Sequence, residues 1–174
     1  MASDVKMVGG IRWRLAGWTL AVALLLLPFI AMQMTRDVTW TGSDFVFAAV
    51  LIGGVGLLFE LAVKMSDNGF YRAGVALALF ATFLTIWACG AVGMIGDERN
   101  AFNLIFIAVP TLALAGSALG GFRASAASWA MLAAAGTQFI ASAVGMFTDL
   151  LGGIYSMLFS AVWLAAAAMF RRAR

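Results

Sequence analysis

The 174-residue chain has no histidine, one cysteine, two prolines and eight acidic residues, and only 11% of its residues are charged. The absence of histidine excludes His-ligated zinc and copper, bis-His haem and the commonest general base. A single cysteine, Cys89, excludes thiolate clusters, an internal disulfide and dithiol exchange. Cys89 lies in an apolar run, where we interpret it as a small packing residue.

Other catalytic and cofactor motifs are also missing from the sequence. The glycine-rich stretch at residues 53–56 has no Lys-Ser/Thr continuation of a phosphate-binding loop and lies within an apolar run. No lysine stands in the middle of an apolar run, where a retinal Schiff base would need it, and no serine is visibly paired with a base. We therefore predict no enzyme activity, no catalytic residue, no cofactor and no metal site.

What the chain has in abundance is apolar sequence, since 64% of its residues are hydrophobic. A soluble domain has about a quarter of its residues charged, and a helix that crosses a membrane needs about 20 mostly apolar residues. The sequence predicts an all-α integral membrane protein, a six-helix transmembrane bundle forming one domain over residues 1–174. The predicted helices span residues 15–34, 44–64, 73–95, 103–122, 128–147 and 152–170.

The basic residues are distributed unevenly between the gaps that separate the apolar runs. With the N-terminus in the cytoplasm, only Arg36 and Arg99 fall on the outer side, and nine lysines and arginines fall on the inner side. Those nine are Lys6, Arg12, Arg14, Lys64, Arg72, Arg123, Arg171, Arg172 and Arg174. Because basic residues in short loops favour the cytoplasm, we predict that both termini are cytoplasmic. Membrane orientation then accounts for the net charge of +3, so we predict the lipid bilayer as a partner and no nucleic acid.

The first apolar run follows basic residues, as the apolar core of a secretory signal does. The apolar character continues to Met34, however, and no small-x-small cleavage site follows. We expect this segment to be retained as a helix.

Glycine-rich helix faces are predicted to allow close helix packing. Gly116 and Gly120 form a GxxxG pair, and the glycines at positions 53, 54 and 56 make the second helix thin. Such faces serve either packing within the chain, which we favour, or contact with a second copy or another membrane protein.

Glu60 is the one ionisable residue within an apolar run that loop charges do not explain. Burying a charge in a membrane is costly, which makes Glu60 a functional candidate for proton or cation handling. Lys64 follows at i+4 and Arg72 lies at the same membrane face, so a structural ion pair is the favoured alternative.

Two uncharged residues, Gln138 and Thr111, complete a candidate polar site at membrane depth with Glu60. They could line a polar path, although we favour hydrogen bonds between helices as the explanation. A second candidate site is the polar loop predicted on the outer face. It contains Asp97, Glu98, Arg99 and Asn100.

With the other carboxylates on the outer side, this loop could gather oxygen ligands for a hard cation. We favour helix capping, because Asp44, Asn100 or Asn103, and Asp149 stand at or just before predicted helix starts.

Several short motifs resemble an uncharacterised family of small multi-pass bacterial membrane proteins. They are Met32-Gln33-Met34-Thr35, Val38-Thr39-Trp40-Thr41 with Asp44-Phe45, Glu60 in its apolar run, Ala91-Val92-Gly93-Met94-Ile95-Gly96-Asp97-Glu98 with Asn100 and Asn103, and Ala161-Val162-Trp163-Leu164 with Phe170-Arg171-Arg172. The resemblance implies a bacterial inner-membrane location and implies no particular activity.

Three functions are compatible with these residues. A structural or accessory inner-membrane protein is the favoured hypothesis. The alternative is a small transporter or channel for an ion or small solute that uses Glu60 and the other polar residues at membrane depth. A membrane enzyme acting on a lipid or quinone is the third, and it would require polar groups that converge in a lateral cleft.

Overall fold

A computed structural model describes residues 2–174, with side chains from residue 14 onward. Throughout this part of the chain, every regular element is an α-helix, which confirms the all-helical prediction and the number of six helices. The helices are α1 (Ala2–Met34), α2 (Gly42–Met65), α3 (Gly69–Ala91), α4 (Asn103–Leu119), α5 (Ala124–Gly145) and α6 (Leu150–Arg172).

Five of the described helices are long and apolar enough to cross a membrane: α2, α3, α5, α6 and the Arg14–Met34 part of α1. The helix α4 has 17 residues and ends three residues before the predicted position. It ends there because Gly121 and Phe122 adopt left-handed backbone, with φ of 62° and 55°. At about 1.5 Å per residue, α4 is about 25 Å long.

The helix α3 begins and ends four residues earlier than predicted. It begins early because the Asn68 side chain accepts hydrogen bonds from the backbone N–H groups of Phe70 and Tyr71, at 2.9 and 3.2 Å. It ends early because Gly93 turns the backbone with a φ of 80°, a conformation that favours glycine. The residues that follow form a connection in place of a last helical turn.

At the start of α2, the side chain of Asp44 bonds back to Thr41, which precedes the helix. The backbone N–H and the hydroxyl of Thr41 both donate to Asp44 Oδ2, at 2.7 and 2.8 Å. On either side of this pair, the rings of Trp40 and Phe45 meet edge to face with their centroids 5.2 Å apart. A side chain that bonds back to the residue before the helix, with an apolar contact across it, fixes the point at which a helix begins, here two residues before the predicted start.

The chain divides into two compact units, residues 1–58 and residues 59–174, with the boundary inside α2. The sequence predicts one domain over residues 1–174. In the first unit, the Trp18 ring packs against Gly56, where an added Cβ would approach within 3.3 Å.

The second unit contains a four-helix bundle made of α3, α4, α5 and α6. The helix α5 packs on α4 and α6, and α3 packs on the same two helices, which closes the ring. Successive helices are antiparallel, the up-down-up-down arrangement of many bundles, because Gly96 contacts Asp149 at one end and Tyr71 contacts Phe122 at the other.

Small residues make up most of the interior of this bundle, together with a few large ones such as Trp163 and Phe106, and large apolar residues cover its surface. The buried residues of α6 recur at spacings of three and four: Gly153, Ser156, Ser160, Trp163, Ala167 and Phe170. In α5, Ala134, Ala135 and Ser142 are buried, whereas Phe139 and Ile140 are exposed. Close approach of helices through small residues, with large apolar side chains outside, is typical of packing in lipid.

Candidate functional site

Asn103 organises the connection between α3 and α4, which contains the predicted polar loop. Its side-chain Oδ1 accepts hydrogen bonds from the backbone N–H groups of Met94 and Ile95, both at 2.9 Å. Its Nδ2 donates to the carbonyl of Asp97 at 2.7 Å. Asn103 is buried, with 4% of its surface exposed, so this one amide satisfies three backbone groups of the connection. The sequence singles out Asn103 as a possible cap for the start of its own helix, whereas its side chain bonds to the connection that precedes the helix.

Asp149 joins this connection to the start of α6. One carboxylate oxygen accepts from the backbone N–H of Gly152 at 2.9 Å, which confirms the predicted cap. The other oxygen accepts from the backbone N–H of Gly96, also at 2.9 Å. The hydrogen bonds from Gly96 and then from Gly152 hold the pKa of Asp149 below its ordinary value. A Cβ at position 152 would collide with this carboxylate, so glycine is required there.

The polar side chains of the predicted loop bond mainly to neighbouring residues of the same connection. The Asp97 carboxylate accepts from the Arg99 backbone N–H at 3.1 Å, and the Glu98 carboxylate lies 3.7 Å from the Arg99 guanidinium. The Asn100 side chain donates to the carbonyl of Ile95 at 3.1 Å and accepts from the backbone N–H of Phe102 at 3.0 Å. Among the residues that the structure describes, no group of three or more His, Cys, Asp or Glu side chains is placed to hold a metal ion. This arrangement favours a turn-forming role.

Gln138 lies inside the bundle between α5 and α6 and is fully buried. Its Nε2 donates to the carbonyl of Ser156 at 3.0 Å. The Ser156 hydroxyl in turn donates to Ser142 Oγ of α5 at 2.9 Å. Gln138 and Ser142, one turn apart on α5, thus both bond to Ser156 of α6. Nearer the α6 C-terminus, the Ser128 hydroxyl of α5 donates to the Ala167 carbonyl at 3.1 Å.

Thr111 lies elsewhere. Its side chain is exposed on α4, and its hydroxyl donates to the carbonyl of Ile107 in the preceding turn at 3.0 Å. Its neighbour Pro110 is buried. The structure therefore does not bring Thr111 and Gln138 together on one surface.

Glu60 is half-buried near the end of α2, and Lys64 is exposed. The guanidinium of Arg72 donates to the Asp67 carboxylate at 2.8 Å, and it also bonds two carbonyls at the end of α2. Those carbonyls belong to Val63 and Ser66, at 2.8 and 2.7 Å. Arg72 thus fixes the connection between α2 and α3.

A set of buried polar atoms was not evident from the sequence. In the described part of the chain, four buried side-chain atoms have no hydrogen-bond partner: Thr85 Oγ1, Gln138 Oε1, Ser160 Oγ and Trp163 Nε1. Of these residues, only Gln138 was predicted as a site residue. The others lie on the buried faces of α3 and α6. The sequence does not show which face of each helix is buried, because the lipid-facing side is apolar as well.

Comparison with known proteins gives no relative for this chain. No family model, no curated protein and no solved structure matches it.

Proposed function

We propose that the protein is a structural or accessory component of a bacterial inner membrane, with six membrane spans and both termini in the cytoplasm. Five apolar helices of sufficient length support the spans, and α4, at 17 residues, lies at the short end of the spanning range of about 17–25. The concentration of basic residues at one set of helix ends supports the orientation.

One observation carries the structural role: two of the predicted polar residues at membrane depth, Gln138 and Thr111, bond to helix backbone and do not line a common surface. Gln138 connects α5 to α6, whereas Thr111 bonds to its own helix and is exposed. A conducting path requires polar groups that face one lumen, and these two residues face different surroundings. The Gln138 hydrogen bond is of the kind expected between helices that pack in lipid, whereas the Thr111 bond stays within α4.

Glu60→Gln tests the role of the one acid within an apolar run. The protein is reconstituted in liposomes, and proton and sodium flux are compared with those of empty vesicles. The structural role predicts a modest change in stability and no change in flux. A flux that the wild type supports and Glu60→Gln removes would contradict it.

The orientation is tested by labelling with a membrane-impermeant maleimide in a Cys89→Ala background. Glu98→Cys is expected to react in intact cells, and Ala173→Cys only after permeabilisation. The reverse pattern would overturn the proposed orientation.

The second candidate, a small transporter or channel, is favoured by the buried atoms without partners. Thr85, Gln138 and Ser160 offer two hydroxyls and one amide oxygen inside the bundle, and such groups can bind a polar solute. This candidate predicts flux that Thr85→Val and Gln138→Leu each reduce strongly. Normal flux in both variants would eliminate it.

A further inference from the structure

One end of the bundle carries a group of arginines, here called the basic end. Its members are Arg123, Arg171, Arg172 and Arg174. The helix ends that carry them are held together through Tyr71 of α3. The Tyr71 ring meets Phe170 of α6 edge to face at 5.3 Å, and its hydroxyl donates to the carbonyl of Phe122 at 2.9 Å. Phe122 and Phe170 immediately precede Arg123 and Arg171, so these contacts bring the two arginines to the same end.

No acid neutralises the basic end. Within the described chain, no carboxylate forms an ion pair with any of its four arginines, all of which are exposed. Asp67 lies four residues before Tyr71 in the sequence, and its carboxylate is paired with Arg72. Arg172 is positioned by a different contact, since its guanidinium lies over the Phe70 ring at 5.9 Å. The positive charge of this surface is therefore available to an anion.

The start of α5 adds to this positive potential. Arg123 occupies the N-cap position and makes no side-chain cap bond, and the first turn of α5 contains no acid. The starts of α3 and α6 are capped by Asn68 and Asp149. A helix start with free N–H groups attracts anions, and here it lies within the group of arginines.

The depth of the basic end points to a lipid. Arg171 and Arg172 lie in the last turn of α6, a helix of 23 residues, and Arg123 directly precedes α5, a helix of 22 residues, which places them at the level of phospholipid headgroups. Exposed apolar side chains lie next to them in the sequence or on the adjoining helix ends: Phe70, Leu119 and Phe122. Cations beside exposed apolar side chains match a molecule that has both an anionic headgroup and an acyl chain.

We propose that the basic end binds the headgroup phosphate of an anionic phospholipid. The inference rests on the membrane-spanning arrangement given under Proposed function and is independent of the structural or accessory role.

The test is native mass spectrometry of the full-length protein in detergent, titrated with phosphatidylglycerol or with zwitterionic phosphatidylcholine. Two double variants each remove two positive charges: Arg123→Gln/Arg171→Gln at the basic end and Arg36→Gln/Arg99→Gln as the matched control. Each arginine near an anionic membrane surface contributes about 1 kcal/mol, so the first variant is expected to bind phosphatidylglycerol about thirtyfold more weakly. The control is expected to bind like the wild type.

Equal affinity of the wild type for the two lipids, or equal weakening in the two double variants, would overturn the proposal. Displacement of phosphatidylglycerol by equimolar inorganic phosphate would also overturn it, because the site would then recognise a free anion.

If the first double variant does not fold, as judged by circular dichroism, the variant Arg123→Lys/Arg171→Lys tests the proposal instead. This variant keeps both charges and is expected to retain the preference for phosphatidylglycerol, and loss of the preference contradicts the proposal. Ion flux in liposomes would overturn the structural role and leave the lipid site unaffected.

Discussion

The carboxylate of Asp149 accepts a hydrogen bond from the backbone N–H of Gly96, 53 residues earlier in the chain, at 2.9 Å. The same carboxylate caps α6 through Gly152. One side chain thus connects the loop between α3 and α4 to the loop between α5 and α6. The two loops at this end of the bundle are therefore held together by the Asp149 carboxylate, a charged group at the N-cap of α6.

The first prediction concerns the pH dependence of this connection. Because hydrogen bonds lower the pKa of Asp149 in the folded state, its ionised form stabilises the fold above the unfolded-state pKa near 3.8. That contribution is lost as the pH falls through the lower folded-state pKa. We expect the wild type to exceed Asp149→Asn in thermal stability by a constant margin from pH 8 to pH 5, and the margin to shrink below pH 4. Unfolding in detergent, followed by circular dichroism, measures it; a margin unchanged at pH 3 would show that the charge contributes nothing.

The second prediction concerns Asn103. Replacing it with leucine leaves the buried N–H groups of Met94 and Ile95 without an acceptor. An unsatisfied buried donor costs about 1–3 kcal/mol, so Asn103→Leu is expected to lower the free energy of unfolding by about 2 kcal/mol or more. The matched control is Asn100→Leu, in the same connection but only half-buried, with an expected loss of less than half as much. Equal losses in denaturant titrations would indicate that the buried amide has no special role.

The third prediction tests the close approach of α4 and α5. A Cβ at Gly116 would lie 2.9 Å from the Cβ of Ala130, whereas a Cβ at Gly136 meets nothing within 4 Å. Gly116→Leu is therefore expected to destabilise the protein by about 1–3 kcal/mol through overpacking. Gly136→Leu, on the exposed side of α5, is expected to stabilise it by up to about 1 kcal/mol through helix propensity. Thermal unfolding of the two variants decides, and destabilisation by both would refute the assignment of Gly116 to the helix contact.

The fourth prediction concerns Gln138. Its Nε2 bonds to Ser156, but its Oε1 has no partner, so leucine of similar size removes one hydrogen bond and one unsatisfied acceptor together. Hydrogen bonds between helices in membranes average about 0.6 kcal/mol, and we expect Gln138→Leu to change stability by less than about 1 kcal/mol. Gln138→Ala is expected to cost more, because it also leaves a cavity. A loss above 3 kcal/mol for the leucine variant, measured by steric trapping or denaturant, would contradict this view of the site.

Helix number and type were predictable because long apolar runs in a membrane protein have few alternatives to the helix. Helix ends were less predictable, since they depend on tertiary contacts. Asn68 and Gly93 shift both ends of α3, and the early end of α3 is completed by Asn103, which comes from the next helix.

The candidate site was harder to predict than the fold. Gln138 and Thr111 are both polar residues within apolar runs, yet one is fully buried and the other is exposed. In a soluble protein, the polar face of each helix would reveal the phase of the buried stripe. Lipid-facing positions are apolar as well, so the sequence has no such contrast, and only the packed structure separates the two residues.

Flux through liposomes that contain the purified protein tests the central claim most directly, namely that Glu60, Thr111 and Gln138 do not form a conducting path. Wild type and Glu60→Gln/Thr111→Val/Gln138→Leu are reconstituted at equal density, and proton, sodium and potassium flux are recorded against empty vesicles. The structural role predicts that both proteins match the empty vesicles. Flux in the wild type that the triple variant abolishes while remaining folded would contradict it.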